Sequence, residues 1–224
     1  TPLTTYGPDG EANVVAGFNL AYGQDKIDRT DHHGNTVAPL TGAGMAAVSA
    51  PLLAEGELIT VYEQDGLKVE MLAVDHFPIT PAVAYRFSYR GRSALISGDT
   101  NKSANIEEFA QGIDLLVHEA LNPAMLNAMN QAATSVGLPN TAKIFDDVID
   151  YHASPIEAAE TARDANVGHL LFYHIVPPLV LPGSEALWLD GVDQRFSNYT
   201  LGEDGTSISL PANSSDIVVN SNDL

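Results

Sequence analysis

The chain has 224 residues, of which 29 are Asp or Glu and 10 are Lys or Arg, giving a formal net charge of −19. A hydrophobic share of 45% is enough to bury a core, which excludes wholesale disorder. The absence of cysteine excludes disulfides, thiolate zinc sites and cysteine nucleophiles, so any metal must be held by His and carboxylate. So large an acidic excess repels polyphosphates and makes nucleic acid a poor default partner.

The length fits one domain. The opening Thr1–Gly10 is turn-rich around Pro8-Asp9-Gly10, and Glu11–Tyr22 is expected to be helical. Gln24–Gly34 is polar and reads as a connection, and Ala38–Ala54 as a loop punctuated by Gly and Pro. No stretch is long and apolar enough to span a bilayer, so no membrane partner is expected. Residue 1 is Thr rather than Met, and the sequence is read as a processed product or a fragment. Its compartment is left open between cytoplasmic and secreted or periplasmic.

Two β-branched-rich runs, Glu57–Gln64 and Leu67–Val74, flank Asp65-Gly66, a hairpin signal. Ala82–Ser88 and Ala94–Ser97 form a second hairpin about the Tyr89–Arg92 turn. Helix and strand then alternate: a short helix at Ile106–Gln111, a buried strand at Asp114–His118, and helices at Pro123–Ala133, Ala142–Tyr151 and Pro155–Asn166. Ser154 and Pro155 supply the cap and first helical position of the last of these. His169–Tyr173 is a further buried strand, and Asp216–Val219 a terminal one ending in a polar, fraying tail. Hairpins followed by αβ units predict a mixed α/β layered architecture.

Three chemistry-bearing residues stand at strand ends. Asp99, in Ser97-Gly98-Asp99-Thr100, follows an apolar strand where α/β sheets form their crevices; it reads equally well as a helix cap. His76 follows Val74-Asp75, and His174 precedes a Pro-stiffened loop. Convergence of the three on one rim would give a metal site. Glu119 ends another strand, and His152 sits at a helix entrance. A carboxylate bonded to an imidazole fixes its tautomer and raises its basicity, as a proton donor to a leaving group requires. His32-His33 reads as a solvated turn and His169 as structural.

The ordered segments VDHFP, AYRFSY, ISGDT, DLLVHEA, YHAS and FYHIVPP resemble the metallo-β-lactamase-fold hydrolases, in particular the branch of tRNase Z and the related phosphodiesterase and arylsulfatase-like proteins. Tyr6-Gly7-Pro8 and Asp31-His32-His33 are similar to that branch too. The resemblance implies an αβ/βα four-layer sandwich in one domain over residues 1–224, with a terminal strand and tail at 207–224. It implies that His76 binds one zinc, that Asp99 bridges two, that His174 binds the second, and that Glu119 and His152 form an acid relay. Two zinc ions are expected in the intact family member, and other divalent metals are compatible.

The family's first metal motif, His-x-His-x-Asp-His, does not occur in these residues. The chain therefore resembles the C-terminal two-thirds or so of a member, with the sandwich incomplete at its N-terminus. Weak metal binding and little activity are expected of it alone. The interval from His76 to Asp99, 99 − 76 = 23 positions, is filled by a hairpin and leaves no room for a tRNA-gripping arm. The first expectation is a hydrolase of small phosphodiester, sulfate or related esters using zinc-activated water, with nucleic acid disfavoured. The alternatives are a tRNA 3′-processing endonuclease of the ribonuclease Z kind and a non-catalytic copy of the fold acting in binding or oligomerisation. A homodimer is a family-level expectation.

Overall fold

The structure is a computed structural model and describes residues 1–51 and 53–220. The chain divides into two compact units, Thr1–Leu53 and Ala54–Leu224.

The first unit contains β1 (Leu3–Gly7), α1 (Glu11–Ala21), α2 (Gly23–His33), a 3₁₀ turn at Leu40–Gly42 and β2 (Met45–Ser49). β1 and β2 pair in parallel, Leu3 opposite Met45 and Gly7 opposite Ser49. Their register is pinned from α1: the Asn19 amide donates to Met45 O and accepts from Met45 N–H, each at 2.9 Å. Two expectations fail here. The polar stretch 24–34 is not a connection but α2, a solvated helix laced by Gln24–Asp28 and Arg29–Asp25 pairs one turn apart. The turn-rich and loop readings of 1–10 and 38–54 missed β1 and β2, because each strand finds its partner some forty residues away.

The second unit is built on β3 (Leu58–Gln64), β4 (Leu67–Ala73), β5 (Val83–Tyr89), β6 (Arg92–Ile96), α3 (Ala104–Phe109), β7 (Leu115–Leu121), α4 (Pro123–Ser135), α5 (Pro139–Asp147), a 3₁₀ turn at Val148–Tyr151, α6 (Pro155–Asp164), β8 (His169–Val176), α7 (Ser184–Trp188), β9 (Tyr199–Leu201), β10 (Ser207–Ser209) and β11 (Val218–Asn220). β3 to β9 form one seven-stranded sheet in sequence order, antiparallel from β3 to β6 and parallel from β6 to β9. Both hairpins turn on residues with positive φ, Asp65-Gly66 at 53° and 82° and Arg90-Gly91 at 49° and 76°, as two-residue turns of the mirror-image type require. The fraying tail expected beyond Asn220 lies outside the described residues.

The core lies on one face of this sheet. Leu72, Ala84, Leu95, Leu116, Leu170 and Phe172 pack against the helical layer. α6 offers Ala158, Ala159 and Ala162, all fully buried, so its backbone approaches the strands closely. Its N-terminus is fixed by a complete capping box between Ser154 and Glu157, worth about 1 kcal/mol. Trp188 of α7 stands edge-on to Phe172 at 5.1 Å and donates from Nε1 to Val176 O at 3.0 Å, which anchors the outgoing end of β8. Buried Arg92 pairs with Asp114 at 2.9 Å and donates to the carbonyls of Pro211 and Ser214, tying the C-terminal segment to β6. Among the described residues no helix is long and apolar enough to cross a membrane.

Candidate active site

The ends of β4, β6, β7 and β8 and the segment between the 3₁₀ turn and α6 bring five chemistry-bearing side chains together. β4 runs out at Ala73, and His76 follows it, its ring 4.8 Å from that of Tyr151 and 5.1 Å from that of His152. Asp99 follows β6 through Gly98, whose φ is +63° and where a Cβ would come within 2.6 Å of Val83 O. Only glycine makes that turn and passes that close to the neighbouring strand.

His174 owes its position to a break in the ladder. Glu119 pairs with Tyr173 and Ala120 with Ile175, so His174 is the extra residue of a bulge, with φ of 44°. A bulge re-aims one side chain out of the strand's alternation. His174 Nδ1 consequently lies 3.6 Å from Asp99 Oδ1, and the His174 ring stacks on His152 at 5.7 Å.

Glu119 is fully buried, and three N–H groups converge on its Oε1: Thr100 N at 3.0 Å, His152 Nδ1 at 2.8 Å and Ala153 N at 3.4 Å. Burial works against the charged form of His152. The hydrogen bond and charge of Glu119, with the more distant Asp99, outweigh it and hold His152 above its ordinary pKa. The bond at Nδ1 leaves Nε2 as the free nitrogen of the ring.

His76, Asp99 and His152 each offer a ligand atom, and these atoms lie within 4.8 Å of one another; Glu119, His152 and His174 do the same. The Nε2 of His76 is buried and has no hydrogen-bond partner among the described residues, as expected of an atom reserved for an ion. Imidazole nitrogen with carboxylate oxygen suits zinc and its first-row neighbours. The residues present therefore fit a divalent metal. Beside the cluster opens a cleft of about 560 Å³ whose lining includes Phe77, Pro78, Asn101, Asp150 and Tyr151.

The structure thus brings all five residues singled out in the sequence to one rim. The sequence reading gave no role to Tyr151, which packs on His76 and His152, or to Thr100. Thr100 was visible only as part of the Ser97–Thr100 motif, and its contacts, through both hydroxyl and backbone, reach segments distant in the chain, which no residue type announces.

A mixed sheet with histidines and carboxylates at its strand ends is the arrangement of a metal-dependent hydrolase. The sequence signature of the Beta-lactamase superfamily domain matches residues 19–175, a span that contains all five residues. The chain belongs to that superfamily, the metallo-β-lactamase-fold hydrolases. Ribonuclease Z of Mycolicibacterium paratuberculosis is 32% identical over 204 residues, covering 91% of this chain and 65% of the relative. Ribonuclease Z of Mycobacterium marinum is 31% identical over 187 residues, covering 84% and 60%. The chain thus spans less than two-thirds of the length of these curated relatives. The metallo-beta-lactamase fold protein YhfI of Bacillus subtilis shares the fold, with a TM-score of 0.53 at 16% identity over 88% of this chain and 61% of that one. Membership of this family implies a divalent metal, typically zinc.

Proposed function

We propose that the chain carries the proton-transfer pair and part of the metal site of a phosphodiester hydrolase of the ribonuclease Z kind. The observation that carries this reading is the buried Glu119–His152 pair standing beside His76, Asp99 and His174. Similarity to two mycobacterial proteins named ribonuclease Z supports the RNA-processing activity over the small-ester and sulfate-ester activities expected first from the sequence.

His76, Asp99 and His174 would hold the metal, with Asp99 able to face two ions. When bound, divalent ions supply an acidified water and polarise the phosphoryl oxygen. The rest falls to the chain's own groups. Glu119 fixes His152 with its proton on Nδ1 in the neutral form, and the charge of Glu119 favours the imidazolium. Protonated at Nε2, that ring donates to the departing oxygen. Tyr151, the edge-on imidazole of His76 and the stacked imidazole of His174 hold the ring of His152 in place. The cleft beside the cluster is of a size suited to a nucleotide-sized group.

The net charge of −19 favours a second reading, a small phosphodiester. Under the first reading the cations that grip an RNA backbone lie outside these residues, in the remainder of the protein or in a second subunit.

A substrate panel separates the readings: a tRNA precursor with a 3′ trailer, bis-p-nitrophenyl phosphate and p-nitrophenyl sulfate, assayed on the zinc-loaded, full-length protein. Trailer removal is the expected result. Turnover of the sulfate ester with no cleavage of either phosphodiester would overturn the proposal.

A further inference from the structure

Thr100 is fully buried, next to Asp99, and touches every other segment that carries a site residue from β4, β7 or the α6 entrance. Its peptide groups face one way: N–H donates to Glu119 Oε1 at 3.0 Å, and C=O accepts from Ala153 N at 2.8 Å. Its hydroxyl faces the other. Oγ1 accepts from Asp75 N at 3.2 Å, and its single hydrogen goes to Asp75 O at 3.2 Å or Asn101 O at 2.8 Å. Asn101 N completes this grip on Asp75 by donating to Asp75 O at 2.7 Å. Asp75 is the residue before His76. The side chain of Thr100 therefore sets the backbone from which the His76 imidazole projects, and its main chain sets the pair Glu119–His152.

We infer that Thr100 is a positioning residue that holds both halves of the site at once, its hydroxyl aligning the His76 loop for metal and its peptide groups aligning Glu119 with the segment of His152. The inference rests on the proposed function for the meaning of the two halves. It makes a claim of its own: because the two grips use different atoms, a change in the side chain separates them. Thr100→Val keeps the shape and both peptide groups but leaves the Asp75 N–H without the acceptor it has in the structure. Thr100→Ser keeps the hydroxyl and loses only a methyl group. An ordinary buried threonine would show the reverse, with Thr100→Ser responding to its lost methyl group and Thr100→Val left close to wild type.

The closing experiment uses the 224-residue chain and two readouts. In metal-free protein, the ring ¹H–¹³C resonances of His76, His152 and His174 are compared among wild type, Thr100→Val and Thr100→Ser. The expected result is broadened or displaced His76 signals in Thr100→Val, His152 signals as in wild type, and wild-type spectra throughout in Thr100→Ser. In the same samples a Co²⁺ titration is expected to show about 10- to 100-fold weaker binding for Thr100→Val, the usual loss when a group orienting a ligand is removed, with Thr100→Ser at wild-type affinity. If valine at this position prevents folding, Thr100→Ala lacks the same hydroxyl without the added methyl and gives the same reading. Unchanged His76 signals in the variants without a hydroxyl, equal disturbance of His76 and His152, or a Thr100→Ser spectrum as disturbed as that of Thr100→Val would each overturn the inference. A wild-type chain that took up no Co²⁺ would instead overturn the metal reading of the proposed function, and the ring spectra would still decide the role of Thr100.

Discussion

His152 Nδ1 meets Glu119 Oε1 at 2.8 Å in a fully buried carboxylate environment, although 33 residues separate the two in the chain. The contact exists because Glu119 lies two residues before the end of β7 while the loop into α6 folds back on that end, with Leu121 N donating to Ala153 O at 2.8 Å. The pairing is a property of the strand ends of the sheet rather than of any local motif.

Replacing His152 by Ala in the full-length protein is expected to lower turnover by about 10²- to 10⁴-fold, the usual contribution of a positioned acid. Metal content should stay near that of wild type. Steady-state kinetics alongside elemental analysis makes the comparison, and parallel losses of activity and metal would contradict the acid role.

Acidification should destabilise the fold from about pH 6.5 downward. His169 sits in a polar niche between Asn198 Oδ1 at 3.0 Å and Thr200 Oγ1 at 2.9 Å, and burial lowers its pKa from the usual 6.5 despite the Asn198 bond. Burial lowers that of His118 as well. Both therefore favour the neutral form in the folded state, so the unfolded chain binds more protons below pH 6.5. Their contribution is complete above the unfolded value and is lost as pH falls toward the folded values. Urea unfolding at pH 7.5 and pH 5.5 measures this, and His169→Gln should flatten part of the slope.

Gly98→Ala is expected to cost about 1–3 kcal/mol from the positive φ alone, with a further penalty from the contact with Val83 O. The loss should appear in chemical denaturation. Co²⁺ affinity should fall with it, since the turn at Gly98 aims Asp99.

Removing Arg92 leaves Asp114 without its buried partner and frees the carbonyls of Pro211 and Ser214. Asp114 is one-quarter exposed and keeps its bonds from Ser93, so Arg92→Ala should destabilise the second unit by about 1–3 kcal/mol. Hydrogen exchange should show early loss of protection in β10 and β11 while the β7–β8 ladder stays closed.

The elements legible in the sequence were those with local chemistry. Asp65-Gly66 announced its hairpin through residues that tolerate positive φ, and Ser154-Pro155 announced α6 through its cap. The elements that escaped depend on distant partners: β1 on β2, and β9 on β8. α2 escaped for the opposite reason, since a helix stabilised by charged pairs has no apolar stripe to betray it. His76, Asp99, Glu119, His152 and His174 were recognisable as types at strand and helix ends. Their meeting was expected from the family resemblance alone, because deriving it from the residues requires the strand order of the sheet. The turn of His174 out of β8 was hidden, since a bulge leaves no mark on composition.

That bulge makes segment length a functional quantity. Upstream of His174, Phe172 points into the core; downstream, the ladder resumes at Ile175 with the count displaced by one. Deleting any one residue between Phe172 and Val176 would let the two strands run in ordinary register, and the imidazole would lose its exit from the alternation. The same stretch can exchange one apolar side chain for another and keep its geometry. For this strand, arithmetic is under tighter constraint than spelling.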